Sequence, residues 1–406
     1  MRPEIVLLAL FLAVPAAGDE FSSEFGGHTK IGAVAQAYPS DSVIRDVAGS
    51  DSLGISLELR LNLAAQSGRW SFDSAWQLVG LHAETLPLTG TPNDARRLFD
   101  LTDVIDDGDE HAYLHRLDRL WIGYANDKAV IRLGRQALSW GNGLAYTPMD
   151  IVNPFDPATI DTEYKAGDDM LYLQYLQDNG NDVQAAWVAR RNPVTGDAES
   201  DVATVAVKYH GFAGTREYDL LVAKSYGNTV LGLGFSRSIG GAVWGNDVVV
   251  TDTDTGTELQ LVTNLLYSWV WFERNMSGML EYYYNGFGQP GKSYDPLSLA
   301  GNPALVARVA RGESFTLGRH YLAANVLVEM TPLWTLTPTL LLNIEDPSAL
   351  FQLVTRYSLS DEMTLLASIN VPIGARGTEF GGIESGLQER YISQGAGLFA
   401  QFAWYF

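Results

Sequence analysis

Histidine and serine side chains are the first candidates for chemistry, and their spacing does not favour catalysis. The histidines are His28, His82, His111, His115, His210 and His320, and none has a serine nucleophile motif beside it. A hydrolase needs a nucleophile activated by an adjacent base. The sequence therefore predicts no enzymatic activity, no catalytic residues and no cofactor.

Two acidic runs offer the carboxylate oxygens that hard cations prefer. They are "DLTDVIDDGDEH", residues 100–111, and "TDTDTGTE", residues 251–258. Neither fits the twelve-residue calcium loop, because the glycine and the terminal glutamate are misplaced. His111 and His115 are four residues apart, but a zinc site needs more than a pair of ligands. We therefore predict solvated acidic loops and no metal site.

A recurring element must position these side chains. Apolar and polar residues alternate over segments of about ten residues, and each segment is followed by a break. In "ELQLVTNLLYSWVWF" one face is apolar, whereas the other carries Gln260, Asn264 and Ser268. A period of two residues is that of a β-strand. About eighteen such segments predict an all-β fold, a transmembrane antiparallel up-and-down barrel.

The breaks between the segments alternate in length. Short breaks such as "SG" and "DK" lie on one side, and the long ones lie on the other. The long breaks are residues 39–51, 83–112, 139–167, 286–318 and 376–394. Short periplasmic turns and long external loops are typical of outer-membrane barrels. A soluble sandwich, the alternative for any single strand, gives no reason for this alternation.

Charged residues on the polar faces of the segments would line an aqueous lumen. We predict the pore-lining residues to be Arg60, Arg119, Arg132, Arg190, Lys208, Asp219, Glu281, Glu329 and Glu345. The basic residues come mostly from the first half of the chain and the acidic ones from the second, so the two sets would face each other. One interpretation is a transverse field that selects charged or dipolar solutes. The alternative is a plugged barrel held by inner ion pairs.

The long break at residues 139–167 is unusually apolar for a loop. It contains Met149, Ile151 and Val152 together with three prolines. An exposed loop of this kind would be costly, so we expect it to fold inward and constrict the pore. A loop packed over its neighbours from outside is the alternative. The residues expected to face the pore are Asp150, Asp156, Asp161, Glu163 and Lys165.

The chain ends in "GLFAQFAWYF", whose apolar face ends with Phe402, Trp404 and Phe406. With the alternating segments and the loop lengths, this ending makes the mature chain resemble bacterial outer-membrane channel proteins of the porin type. No subfamily motif is matched. The resemblance implies that Phe402, Trp404 and Phe406 form the signal read by the barrel-assembly machinery. It also implies a location in the bacterial outer membrane, among lipid and lipopolysaccharide.

The bulk properties agree with this interpretation. Residues 1–18, within "MRPEIVLLALFLAVPAAGDE", have the pattern of a signal peptide, which leaves residues 19–406 as the barrel. The chain has no cysteine, 19 tyrosines and 10 tryptophans. Its formal net charge of -21 argues against nucleic acid as a partner.

The sequence thus predicts a channel for passive diffusion of small hydrophilic solutes or ions. The alternative is an export or assembly barrel, of the polysaccharide or lipid type, that works with periplasmic partners. Homo-oligomerisation is left open.

Overall fold

A computed structural model describes residues 21–406, and the predicted signal peptide lies outside them. Nineteen strands share one sheet. One of them, β4 (Thr102–Asp107), only extends the external half of β5, so eighteen form the barrel wall. The wall strands are β1 (Phe21–Ala37), β2 (Asp51–Ser67), β3 (Trp70–His82), β5 (His111–Ala125), β6 (Ala129–Gln136), β7 (Asp168–Leu176), β8 (Asp182–Val188), β9 (Thr204–Ala213), β10 (Arg216–Ser225), β11 (Asn228–Ile239), β12 (Ala242–Thr253), β13 (Gly256–Trp271), β14 (Arg274–Asn285), β15 (His320–Thr331), β16 (Trp334–Asn343), β17 (Ser348–Ser358), β18 (Met363–Ile373) and β21 (Gly397–Tyr405).

Each wall strand pairs antiparallel with the wall strands before and after it, and the last strand closes the ring on the first. In that closing pair His28 lies opposite Tyr405 and Gln36 lies opposite Gly397. Closure leaves no unpaired strand edge in the wall, which a lipid environment requires. The predicted all-β up-and-down barrel is confirmed, and β21 is its closing strand.

The connections follow the predicted alternation. Both described ends of the chain lie on the side of the short turns, which include residues 68–69, 126–128 and 332–333. The long loops all lie on the other side, which we call the external side. One of them, residues 189–203, was not predicted from the sequence. It follows β8, a wall strand of only seven residues.

The two faces of the wall differ in polarity, as the alternation predicted. Leu259, Leu265 and Leu340 face outward and are exposed, whereas Gln260 and Asn264 face the lumen and are buried. The terminal aromatic residues also face outward, with Phe402, Trp404 and Phe406 between 36% and 45% exposed. An outward band of exposed apolar side chains is the surface of a barrel that spans the outer membrane.

Short elements shape the external loops. Helices α1 (Arg45–Ala48), α2 (Leu86–Thr89), α3 (Pro296–Ala300) and α4 (Pro303–Ala310) each span a few residues, and β19 (Ile383–Glu384) pairs with β20 (Tyr391–Ile392). Helix α4 begins where the Asn302 side chain accepts a hydrogen bond from the Leu305 backbone N–H (3.2 Å). Among the described residues, no helix is long and apolar enough to cross a lipid bilayer.

Candidate functional site

The segment between β6 and β7, residues 137–167, lies inside the barrel, and we call it the inward loop. It binds side chains of β12, β14, β17, β1 and β21, so its contacts reach opposite parts of the wall. The sequence predicted this loop at residues 139–167 and predicted that it folds inward. The loop divides the lumen at the level of these contacts.

Two carboxylates of the wall bind the first part of the inward loop through its backbone. Asp247 accepts hydrogen bonds from the N–H groups of Asn142 (2.7 Å) and Gly143 (3.2 Å). Glu281 accepts from the next three N–H groups, those of Leu144 (2.7 Å), Ala145 (3.0 Å) and Tyr146 (2.7 Å). Both carboxylates are fully buried. Five consecutive donors thus satisfy two buried charges, which fixes the backbone of residues 142–146.

Apolar contacts hold the next part of the loop. Met149 and Trp140 pack on an apolar patch of the inner wall, where Leu221 and Val249 are also buried. Tyr146 stacks on Tyr283, with ring centroids 4.8 Å apart. Apolar inward residues are unusual for a water-filled lumen, and here they are covered by the loop. The apolar character that marked this loop in the sequence therefore has a partner surface inside the barrel.

Ion pairs hold the end of the loop against the opposite wall. Lys30 of β1 contacts Asp161 and Glu163, with N–O distances of 2.7 Å in both cases. Gln401 donates to Asp161 (2.8 Å), and the Tyr405 hydroxyl donates to Glu163 (2.9 Å). Burial alone would raise the pKa of Asp161, but the hydrogen bonds from Lys30 and Gln401 outweigh it and lower that pKa. Asp161 is thus ionised, and both carboxylates are bound to the wall.

Asp150 and Lys165 form an ion pair within the loop itself. Both side chains are only 7% exposed. The prediction that Asp150 and Lys165 face the open pore therefore does not describe their surroundings. Burial raises the pKa of Asp150 to about 6, although Lys165 opposes the shift. Asp156 lies nearby in the chain and accepts a hydrogen bond from the Ala158 N–H (2.8 Å). These residues shape the loop, whereas Asp161 and Glu163 meet the lumen.

Most of the predicted pore-lining residues face inward, but several are buried in ion pairs. Arg60 pairs with Asp118 (3.0 Å), Arg190 with Asp168 (2.9 Å) and Lys208 with Asp219 (3.0 Å). Glu281 is buried under the inward loop. Inner ion pairs, which were the predicted alternative to a lumen lined by free charges, are therefore present in part of the lumen.

The other predicted residues differ in their surroundings. The Arg119 guanidinium contacts Asp118 (2.7 Å), and that of Arg132 lies 4.9 Å from the Trp121 ring centroid. Glu329 is exposed and accepts a hydrogen bond from Asn275 (2.7 Å). Glu345 lies beyond β16, in the external turn at residues 344–347, where it accepts from the Arg319 N–H (3.1 Å). Glu345 therefore belongs to the external rim and not to the lumen wall.

Solvent reaches one side of the inward loop. The side chains of Glu58, Asp161 and Glu163 are 30%, 23% and 26% exposed, and Tyr164 is 37% exposed. The Tyr164 ring covers the Arg60 guanidinium at 4.1 Å. We call this water-accessible region, between the end of the inward loop and the wall at β1 and β2, the passage.

Sequence reasoning missed the acidic partners of the inner cations. They are Asp94, Asp118, Asp168 and Asp169, all of them buried, and the buried Asp247, which binds the inward loop, was missed as well. Asp94 comes from the external loop at residues 83–110 and binds Arg135 (2.9 Å). Burial would raise the pKa of Asp94, but Arg135 and Arg97 lower it to about 2. Asp118 faces inward next to Arg119 because the β3–β5 register shifts at that point. The alternation of apolar and polar residues predicts neither the contact of Asp94 with the wall nor the bulge at Asp118.

The external loops also bind one another. Arg376 forms a two-pronged ion pair with Asp41 (2.6 and 2.7 Å), and Ser42 donates to the Ser393 carbonyl (2.7 Å). Leu317 donates its N–H to Glu379 (2.7 Å), which joins two further loops. The external mouth is therefore framed by connected loops.

No protein-family model matches the sequence, and no curated protein has significant sequence similarity to it. Solved structures are similar in fold. Acinetobacter baumannii OccAB1 aligns over 95% of this chain and 96% of its own, with a TM-score of 0.53 and 8% identity. OccAB4 of the same organism also has a TM-score of 0.53 at 8% identity, and the alignment covers 95% of this chain and 98% of OccAB4. Escherichia coli Wzi is an outer-membrane protein involved in group 1 capsule assembly and a carbohydrate-binding β-barrel. Its TM-score is 0.51 at 11% identity, and the alignment covers 98% of this chain and 87% of Wzi.

At these identities the similarity concerns the fold alone. The chain has the fold of bacterial outer-membrane barrels, and the resemblance stated from the sequence is confirmed at that level. No subfamily is identified.

Proposed function

We propose that this protein is an outer-membrane channel for passive diffusion of small hydrophilic solutes or ions. The observation that carries the proposal is the inward loop. It is bound to the wall at both ends, and its last residues meet charged wall residues that remain in contact with solvent. A lumen that served only as a scaffold would not need solvent-exposed charged side chains beside the inward loop.

The charges around the passage predict weak cation selectivity. The carboxylates are Glu58, Asp73, Asp161 and Glu163, and the cations beside them are Lys30, Arg60, Arg119 and Arg132. The two signs nearly cancel, and the most exposed of the ion-paired groups are acidic. The preference should be visible at low ionic strength and fade at high salt, because 0.1 M salt screens charges over about 10 Å.

Planar-bilayer recording tests the proposal. We expect open single-channel currents from the purified chain, and a reversal potential under a salt gradient that reports weak cation preference. Deleting residues 144–163 removes bulk and carboxylates from the lumen, so conductance should rise and selectivity should fall. Silent wild-type protein, clear anion selectivity or a deletion with unchanged conductance would each contradict this role of the inward loop.

Single cysteines give a second readout, because the natural chain contains none. Glu58→Cys, in the passage, should react with a charged thiol reagent, and the reaction should reduce the current. Ser277→Cys, near the short-turn side, serves as a lumen control that lies away from the inward loop. Reaction at Ser277→Cys without any reaction at Glu58→Cys would mean that the passage is closed to solutes.

One observation favours the second candidate, an export or assembly barrel with periplasmic partners. The external loops are bound to one another around the mouth, by contacts such as the one from Arg376 to Asp41. A barrel that opens only with a partner would be silent in the bilayer. It would conduct after Arg376→Ala or after deletion of the inward loop.

A further inference from the structure

We infer that the lumen contains a binding site for a small, uncharged, polyhydroxylated solute. The site is a recess of about 680 Å³, including its open mouth, on the external side of the inward loop. Its walls are the inward loop, the inner faces of strands β10 to β14, the last turn of helix α4 with Arg308, and the segment at residues 313–316 that follows this helix. The inference deepens the proposed function, because a solute entering from outside meets this level of the lumen.

Three residues that line the recess each carry a buried polar atom with no hydrogen-bond partner among the described residues. These atoms are the Thr147 hydroxyl, the Gln260 side-chain oxygen and the Arg308 Nε–H. Each comes from a different element: the inward loop, the wall and the external loop at residues 286–319. Leaving a buried polar group unpaired costs free energy, so such groups are rare in folded proteins. Three of them in one recess indicate a polar ligand.

The neighbours of these atoms fix what they can offer. Gln260 is 2% exposed, and its amide nitrogen donates to the Tyr283 hydroxyl (2.6 Å), so its oxygen is left as an acceptor. The Arg308 guanidinium lies 4.2 Å from the Phe287 ring centroid and contacts Glu313 (3.4 Å). Glu313 also forms a two-pronged ion pair with Arg311 (2.9 and 3.0 Å), so the Arg308 Nε–H is left as a donor beside a carboxylate. The Thr147 hydroxyl can donate or accept.

This set fits neutral hydroxyl groups better than a charged group. An anion would meet the Gln260 oxygen and the Glu313 carboxylate, and a cation would meet Arg308. A hydroxyl both donates and accepts, so adjacent hydroxyls can satisfy the acceptor, the donor and Thr147 together. The remaining lining includes the rings of Tyr146, Phe155 and Phe315, which can pack on the C–H face of such a solute.

Ligand-observed saturation-transfer NMR on the full-length protein in detergent tests the site. The probes are glucose, glucuronate and glucosamine, which share a ring and differ in charge. We expect the strongest binding for glucose. Thr147→Val keeps the side-chain volume and removes the hydroxyl, so affinity should fall about five-fold, the factor for one hydrogen bond of about 1 kcal/mol. Arg308→Lys should weaken glucose binding to a similar degree. Thr337→Val is the control, because it makes the same change at a lumen-facing position of β16, and it should leave glucose binding unchanged.

Several results would overturn the inference. These are absence of glucose binding to the folded barrel, equal binding of the three probes, or a Thr147→Val variant with unchanged affinity. A high-resolution structure with only ordered water on the three atoms, at glucose concentrations well above those used in the NMR experiment, would also overturn it. Binding in detergent does not depend on conduction. A silent bilayer together with specific glucose binding would therefore reject the channel and keep the site, and the reverse result would reject the site alone.

Discussion

Replacing Glu281 with glutamine should release the first part of the inward loop. The carboxylate accepts four hydrogen bonds, from the N–H groups of Leu144, Ala145 and Tyr146 and from the Asn264 amide. The amide of glutamine has one accepting oxygen, so at least one of the three backbone donors loses its acceptor. Which donor is lost depends on the orientation of the amide.

The expected magnitude follows from the bonds that change. An unpaired buried donor costs about 1–3 kcal/mol. Each hydrogen bond that remains would go to a neutral oxygen and contribute about 1 kcal/mol, whereas a bond to the charged carboxylate contributes about 1.5–3 kcal/mol. Docking of residues 142–146 should therefore weaken by about 2–5 kcal/mol. That range corresponds to a roughly 30-fold to 4,000-fold larger population of the undocked segment.

Hydrogen exchange measured by mass spectrometry reads this change directly. In the wild type the amides of residues 142–146 should exchange slowly, because carboxylates bind them. In Glu281→Gln a peptide covering residues 140–150 should exchange faster by at least about 30-fold, and single-channel current should become noisier. Glu329→Gln is the matched control, since Glu329 faces the lumen but accepts from Asn275 and not from the loop. Unchanged exchange in Glu281→Gln would refute the reasoning.

Three further predictions concern the wall, the end of the chain and an external loop. Leu340→Arg, on the lipid face, should destabilise the barrel by about 2–4 kcal/mol if it lies at the bilayer midplane, and the lumen-facing Thr339→Arg should be milder in a urea titration in lipid. Deleting Phe406 should lower the amount of heat-modifiable barrel in the outer membrane, and normal amounts would exclude a role in assembly. Burial raises the pKa of Glu379 from 4.5 to about 7, beside Asp346, Tyr321 and Tyr294. Its stabilisation of the loop is thus fully present below pH 4.5 and is lost as the pH rises through 7. The melting temperature should fall from pH 5 to pH 8 by more in the wild type than in Glu379→Gln, and equal shifts would count against this assignment.

The wall of this barrel could be predicted from the sequence because its signals are local. Alternation placed Leu259 outward and Gln260 inward, and the two-residue period needs no knowledge of the partner strand. The long loops were found for the same reason, except for residues 189–203.

The lumen could be predicted only in part, because its contacts join residues far apart in the chain. Alternation identifies Lys208 and Glu281 as inward, but not that Lys208 binds Asp219 or that Glu281 binds backbone N–H groups more than a hundred residues earlier. The apolar inner patch around Leu221 and Val249 was missed for a related reason. An apolar residue on a strand is assigned to the lipid face unless something is known to cover it from inside.

The two ends of the inward loop are held by different physical interactions, and this difference bears on both proposals. At residues 142–149 the loop is bound by buried carboxylates and apolar contacts, which salt screens little. At residues 161–164 it is bound by partly buried ion pairs whose carboxylates remain in contact with solvent, so salt weakens this attachment more than the other. The recess lies beside the firmly held part, and the passage lies beside the salt-sensitive part. A rigid wall suits a site that must present three polar atoms to a solute, whereas the partly buried ion pairs allow the passage to respond to ionic strength.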